Sequence, residues 1–426
     1  MKAILSMPGF LIAAVLVLFV GILALNFTTG EKKIEQSVER LYAAADPAFA
    51  RAMGVLLGPA ILQGNRFEAL LNGDRIFPAM LASIRDAKKT ITFESYIYWS
   101  DAIGKEFADA LAERARAGVK VHVLLDWVGS NKMDPTHLAT MEAAGVEVRK
   151  FHKPAWYSLA RMNNRTHRKV LVVDGKVGFT GGVGIAGLWT GDAQDPQHWR
   201  DTHFSAEGPV VAQMQAVFLD NWIKATGAVL HGDNYFPELP AAGNDAAQMF
   251  SSSPSGGSES MHLMYLLAIT SAQHSIHLSS AYFVPDKLST QALADALKRG
   301  VKVQIIVPGE HTDAAIVRRA SRARWGDLLA AGAEIHEYQP TMYHCKVLII
   351  DSLMVSVGST NFDTRSFRLN DEANLNIYAA DFARQQVDVF NADLSRSRQI
   401  SLHEWQQRPL SEKFLEHAAS LIGAQL

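Results

Sequence analysis

Residues 167–174 read His-Arg-Lys-Val-Leu-Val-Val-Asp, and residues 344–351 read His-Cys-Lys-Val-Leu-Ile-Ile-Asp. Gly181 and Gly182 follow the first stretch; Gly358, Ser359 and Asn361 follow the second. The four apolar residues predict a buried strand. A two-residue spacing puts His167 with Lys169, and His344 with Lys346, on one face of it. An imidazole serves as nucleophile or proton carrier near neutral pH. An ammonium beside it supplies fixed positive charge for phosphoryl oxygens. Asp174 and Asp351 complete the motif and are grouped with it as catalytic candidates. Their opposite parity, at a turn, suits them better to pinning the loop. Small residues at Gly182 and Ser359 let an anion approach closely. One such motif arises by chance in a chain of this size at roughly the 2% level. Two copies in matching surroundings do not.

Working outward, the surroundings do match. Upstream of the first motif, strands are expected at Thr90–Trp99, Val119–Asp126 and Val146–Phe151, with helices at Ile103–Ala117 and Thr136–Ala144. Upstream of the second, strands are expected at Ser275–Val284, Val301–Val307 and Ala333–Tyr338, with helices at Leu293–Arg299 and Leu328–Ala331. Gly-Val-Lys-Val at Gly118–Val121 recurs at Gly300–Val303, and Ala-Ala-Gly at Ala143–Gly145 recurs at Ala330–Gly332. The reading is α/β, a duplicated βαβ-type domain rather than a solenoid. The halves are placed at 61–236 and 261–426. The Gly/Ser/Pro-rich stretch 237–260 reads as a linker or exposed loop. Acids follow each motif at similar distance, Asp201 after His167 and Glu372 after His344. Each is expected to orient the imidazole of its own half, as a carboxylate does in a hydrolase triad.

The N-terminus differs in kind. No charged residue occurs between Lys2 and Glu31, and Gly9–Leu25 is unbroken apolar sequence. Residues 1–30 are therefore read as one transmembrane anchor, with a cleaved signal peptide as the rival. Residues 31–60 are read as a helical juxtamembrane segment. Lys32, Lys33 and Arg40 after the span, against Lys2 before it, lean toward a cytoplasmic catalytic part.

The 426 residues are 48% hydrophobic and 20% charged, which excludes a disordered protein. With 41 basic and 43 acidic side chains the formal charge is −2, against a nucleic-acid partner. A single cysteine, Cys345, excludes an intrachain disulfide and a zinc site built on cysteine pairs.

The paired motifs resemble the signature of the phospholipase D superfamily. Within it the chain looks most like bacterial cardiolipin synthases, through LLNGDRIFPAMLASI, ESYIYWSDAIGKEF, the run Trp199–His203, Ser279–Pro285 and Asn370-Asp371-Glu372. The resemblance implies two phospholipase D-type α/β/α sandwich halves forming a pseudo-dimer around one active site. It implies a phosphatidyltransferase of a bacterial inner membrane that condenses two phosphatidylglycerols through a phosphohistidine. His167 would be the nucleophile and His344 the acid and base. Lys169, Lys346, Ser359 and Asn361 would hold the phosphoryl oxygens, with no metal or cofactor. A hydrolase using water, a nucleic-acid phosphodiesterase and an inactive membrane scaffold stay open as alternatives. One departure stands out: where the second half has Asn361, the first has Gly184.

Four other features are read mainly as structural. Lys150–Arg165 mixes basic and aromatic residues and suits either a membrane surface or a packed loop. Arg318, Arg319, Arg322 and Arg324 read as a solvated helix face or a headgroup site. Asp192, Asp195, His198 and His203 match no metal-ligand spacing. Cys345 is read as a buried, inert thiol.

Overall fold

The computed structural model describes residues 7–25, 34–152, 163–254 and 259–421. Helix α1 (Met7–Leu25) precedes α2 (Pro47–Leu57), which Asp46 caps through the Ala48 N–H. The juxtamembrane expectation is thus corrected: residues 34–46 are not helical, and the helix starts only where the Asp46-Pro47 cap allows it. Phe49, Met53 and Leu57 bury the inner face of α2 in the core of the second half.

The first half contains β1 (Leu62–Leu71), α3 (Asn72–Asp86), β2 (Thr90–Ser95), α4 (Ala102–Arg116), β3 (Lys120–Asp126), α5 (Pro135–Ala143), β4 (Glu147–Phe151), β5 (Arg165–Thr166), β6 (Val170–Val173), β7 (Val177–Gly181), β8 (Thr202–Glu207) and α6 (Val210–Thr226). The second contains β9 (Asp245–Ser252), α7 (Ser260–Ser271), β10 (Ser275–Ser280), β11 (Phe283–Val284), α8 (Lys287–Lys298), β12 (Lys302–Pro308), α9 (Ala315–Ala323), α10 (Gly326–Ala330), β13 (Glu334–Tyr338), β14 (Lys346–Ile350), β15 (Met354–Gly358), β16 (Phe362–Asp363), α11 (Thr364–Arg368), β17 (Asn370–Tyr378), α12 (Ala380–Ser395) and β18 (Ser397–Ile400).

All the strands but β11 and β16, which pair with each other, form one continuous sheet, ordered β18-β13-β12-β10-β14-β15-β17-β9-β1-β8-β7-β6-β2-β3-β4, with β5 joined to β17. Read from the middle, the two directions repeat each other, β1-β8-β7-β6-β2-β3-β4 against β9-β17-β15-β14-β10-β12-β13. The pseudo-two-fold axis passes between β1 and β9, which pair antiparallel. Strand alternation splits the core into layers. Val121, Val123 and Leu125 face α3 and α4, whereas Leu124 faces Phe218 and Trp222 of α6. Val303, Ile305 and Val307 likewise face α7 and α8 while Ile306 faces the opposite layer. That opposite layer holds Val170, Val172 and Phe204 together with Val347, Ile349 and Phe390, so the halves share a core.

The linker expectation for 237–260 is corrected at its centre. Residues Asp245–Ser252 are the strand β9 beside the axis, with Met249 and Phe250 fully buried. Gly, Ser and Pro on both flanks masked a short apolar strand of the kind that composition alone does not reveal. The anchor expectation for 1–30 lies partly outside the described residues. Within α1 the described side chains are those of residue 9 and of 11–21, and the apolar ones among 11–20 are exposed. That portion is short, and no helix among the described residues is long and apolar enough to cross a membrane.

Candidate active site

Each motif enters the sheet alongside the other half. Strand β5, just before His167, pairs parallel with Asn370–Asp371 at the start of β17, and Arg200 bridges Tyr343 just before His344. The backbone repeats the crossing. The His167 N–H donates to the Asp371 carbonyl at 2.8 Å, and the His344 N–H to the Arg200 carbonyl at 2.8 Å. The carboxylate that follows each carbonyl is therefore delivered to the histidine of the opposite half. His167 Nδ1 lies 3.0 and 3.1 Å from the two Glu372 oxygens, and His344 Nδ1 lies 2.7 Å from Asp201 Oδ2. This overturns the expected pairing within each half, while both acids keep their place beside an imidazole. A carboxylate only accepts, so Nδ1 carries the proton on both rings and Nε2 is left for chemistry.

Each carboxylate is itself fixed. Glu372 accepts from the Ser359 hydroxyl and from Asn370 Nδ2 at 3.2 Å. Asp201 accepts from Trp189 Nε1 at 2.9 Å and from the Thr202 N–H at 2.8 Å. The small-residue pair thus serves the acids first. A Cβ at Gly182 would come within 2.3 Å of the Asp201 carboxylate, so only glycine leaves room for it. Gly184 has the same logic: a Cβ there would lie 2.8 Å from Ile97 and 3.2 Å from the Trp189 ring. The first half replaces the missing asparagine with packing, and Trp189 takes over the donation that Ser359 makes in the second half.

The two imidazoles face one cavity of about 230 Å³ at the junction. First-half lining includes Tyr96, Arg165, His167, Lys169, Trp189 and Trp199. Second-half lining includes Tyr282, Asp313, His344, Asn361, Arg365 and Asn370. Lys169 Nζ donates to the His167 carbonyl at 2.6 Å, and Lys346 Nζ to the His344 carbonyl at 2.6 Å. Lys346 Nζ also lies 3.1 Å from His344 Nε2. Asn361 is buried, and its amide oxygen has no partner among the described residues.

Burial sets the charges. It pushes the His167 imidazole down to about 4, with Glu372 pulling partly back, and it lowers His344 as well. Lys169 falls to about 7, and Lys346 is also lowered, since a buried ammonium loses its hydration. Burial works against Asp201 and Glu372 too, but the histidine and lysine beside each keep both below the usual carboxylate range.

Asp174 and Asp351 stand away from the cavity, in the left-handed region at φ 52°. Asp174 accepts the N–H groups of Lys88, Lys89 and Thr90; Asp351 accepts those of Gln273, His274 and Ser275. Each fixes the entry to the strand that neighbours its own motif, which is the pinning role rather than a chemical one. Cys345 is buried with its thiol pushed up to about 12, as expected of an inert group. Arg318 and Arg322 are engaged by Glu337 and Glu416, so half of the arginine cluster is structural. His198 pairs with Asp195, and Asp192 accepts from Asn72. The aromatic stretch 153–162 lies outside the described residues.

The junction has a second buried device. Arg200 donates to Asp393 of α12 through Nε and Nη2, at 2.9 Å each. Asp393→Ala strands that guanidinium between the halves and is expected to cost about 3–5 kcal/mol, read by chemical unfolding. A loss below about 1 kcal/mol would contradict a buried, fully paired role.

Sequence reasoning did not single out Trp189, Tyr96, Tyr282, Asp313 or Arg365. The Tyr96 ring packs edge-on to His167 at 5.2 Å and the Trp189 ring edge-on to His344 at 5.2 Å. The signal for Trp189 was the glycine at 184, an absent side chain that implied a bulky neighbour.

Comparison with known proteins fits this geometry. The family described as cardiolipin synthase, phospholipase D-like domain, matches residues 80–188 and 265–394, one segment in each half. The chain belongs to this family. It is 36% identical over 360 residues to a cardiolipin synthase of Geobacillus kaustophilus, covering 84% of this chain and 72% of that one. It is 34% identical over 371 residues to cardiolipin synthase A of Pseudomonas syringae, covering 86% and 76%. Among solved structures it superposes on phosphatidylserine synthase of Haemophilus influenzae with a TM-score of 0.68 at 15% identity, covering 89% of this chain and 100% of that one. At that identity the likeness is one of fold. The two matched segments, one in each half, agree with the duplication seen in the sheet.

Proposed function

We propose that this chain is a phosphatidyltransferase that converts two phosphatidylglycerols to cardiolipin and glycerol. The observation that carries the reading is the pair of crossed imidazole–carboxylate couples facing one cavity beside two lysines, in a chain of this family. His167 Nε2 attacks phosphorus as the bond to the leaving glycerol oxygen breaks, and His344 gives that oxygen its proton. The bound phosphodiester's negative charge offsets the burial of His344 and favours its protonated form. The glycerol hydroxyl of a second phosphatidylglycerol then gives its proton to His344 and attacks phosphorus, and the nitrogen–phosphorus bond breaks. Lys169, Lys346 and Asn361 hold the phosphoryl oxygens, so charge stabilisation needs no metal. Asp201 and Glu372 position the rings, with Gly182 and Ser359 serving those acids.

The reading takes residues 1–30 as a single-pass anchor in the bacterial inner membrane. Its support is the sequence, where Gly9–Leu25 is an unbroken apolar run without charge. The basic residues after it favour a catalytic part on the cytoplasmic side.

Incubation of the purified protein with phosphatidylglycerol and EDTA, with products read by mass spectrometry, tests the assignment. Cardiolipin plus glycerol is expected; phosphatidic acid would make the protein a hydrolase. The pH profile carries a second expectation. His167 is neutral above about 4, and Lys169 is charged only below about 7. kcat/KM reports the free enzyme and should therefore fall as pH rises, first as His344, which burial holds below the usual imidazole value, loses the proton it donates, and then through about 7 as Lys169 discharges. A profile still climbing at pH 9 would contradict a charged Lys169 in the reacting form.

A further inference from the structure

The cavity holds one group that does not suit a phosphate. Its cations, Lys169, Arg165 and Arg365, fit an anion, but Asp313 lines the same space and is solvent-exposed. The Tyr282 hydroxyl donates to Asp313 Oδ2 at 2.7 Å and fixes its orientation. Among the described residues no protein donor reaches Oδ1. The other lining carboxylate, Asp363, is occupied as the cap of α11, accepting the Ser366 N–H at 2.7 Å. Asp313 lines the cavity together with His344, and its charge acts on His344 and Lys346.

A carboxylate beside a phosphate site repels the phosphate unless it receives a donor of its own. What it accepts well is a hydroxyl, in a short charge-assisted hydrogen bond. We infer that Asp313, held by Tyr282, is a subsite for the second hydroxyl of a vicinal diol whose first hydroxyl reacts at His344. This deepens the phosphatidyltransferase reading and rests on it. In that reaction both the leaving alcohol and the entering headgroup are glycerols, so one subsite next to the acid and base serves both steps. Water has no second hydroxyl to place there. Asp313 therefore selects a polyol acceptor over water and over simple alcohols.

The test is a competition. Purified protein receives phosphatidylglycerol as donor with isotopically labelled glycerol and propanol at equal concentration, and mass spectrometry gives the ratio of the two transfer products. Wild type is expected to favour glycerol. Asp313→Asn should lower that ratio about tenfold or more, the scale of a hydrogen bond to a charged group. Tyr282→Phe, which keeps the carboxylate but frees its orientation, should lower it several-fold and serves if the first variant folds poorly. The ratio is internal to each sample, so a general loss of activity does not move it. An unchanged ratio in both variants overturns the inference alone. If wild type transfers to neither alcohol and makes no cardiolipin, the functional reading falls and takes the inference with it.

Discussion

His167→Ala lowers turnover of phosphatidylglycerol by about a millionfold, the loss seen when a covalent nucleophile is deleted from a preorganised site. His344→Ala costs less, about a hundredfold to ten-thousandfold, because an acid and base accelerates a step that the nucleophile still permits. The structure makes the asymmetry testable, since the two rings share one cavity and differ only in role. Both variants should keep the wild-type melting temperature within a few degrees, as each ring lies at a cavity wall rather than in an apolar layer. Equal losses at the two positions, each near a hundredfold, would contradict a covalent route through either ring.

The second large effect concerns the exchanged carboxylates. Glu372→Gln and Asp201→Asn each leave a side chain of the same shape but allow the wrong ring tautomer, with an expected loss of about ten-thousandfold. The crossing determines which step suffers. Glu372 lies on His167, so Glu372→Gln should slow formation of the covalent intermediate far more than its breakdown. Asp201 lies on His344, so Asp201→Asn should slow both proton transfers. Rapid-quench measurement of the two half-steps separates these outcomes. Slowed attack in Asp201→Asn, with attack at the wild-type rate in Glu372→Gln, would restore pairing within each half.

Much of this was legible in the sequence, because periodicity and repetition are local properties. Strands rich in β-branched and apolar residues, each preceded by a glycine at Gly118, Gly145, Gly300 or Gly332, announce themselves. The two motifs were found by their spacing. The partnership of Asp201 with His344 was not, because it depends on how β5 and the Tyr343 segment cross the pseudo-two-fold axis. Nothing in the distance along the chain distinguishes an acid that faces its own histidine from one exchanged with a twin. Strand β9 was hidden for a different reason. Its outer residues read as linker composition, and its place at the axis is set by β1 and β17 on either side. Asp313 was invisible because its meaning lies in contrast with the cations around it, which only the folded cavity assembles.

The most direct measurement is a trap of the intermediate with a neutral-to-mildly-alkaline denaturing quench, because the nitrogen–phosphorus bond on histidine hydrolyses in acid. The protein is mixed with phosphatidylglycerol, quenched within the first turnover, digested and mapped by mass spectrometry. A phosphatidyl adduct on the peptide carrying His167, absent from His167→Ala and slow to form in Glu372→Gln, is the predicted result. Cardiolipin formation at the full rate with no adduct on either His167 or His344 would contradict the account.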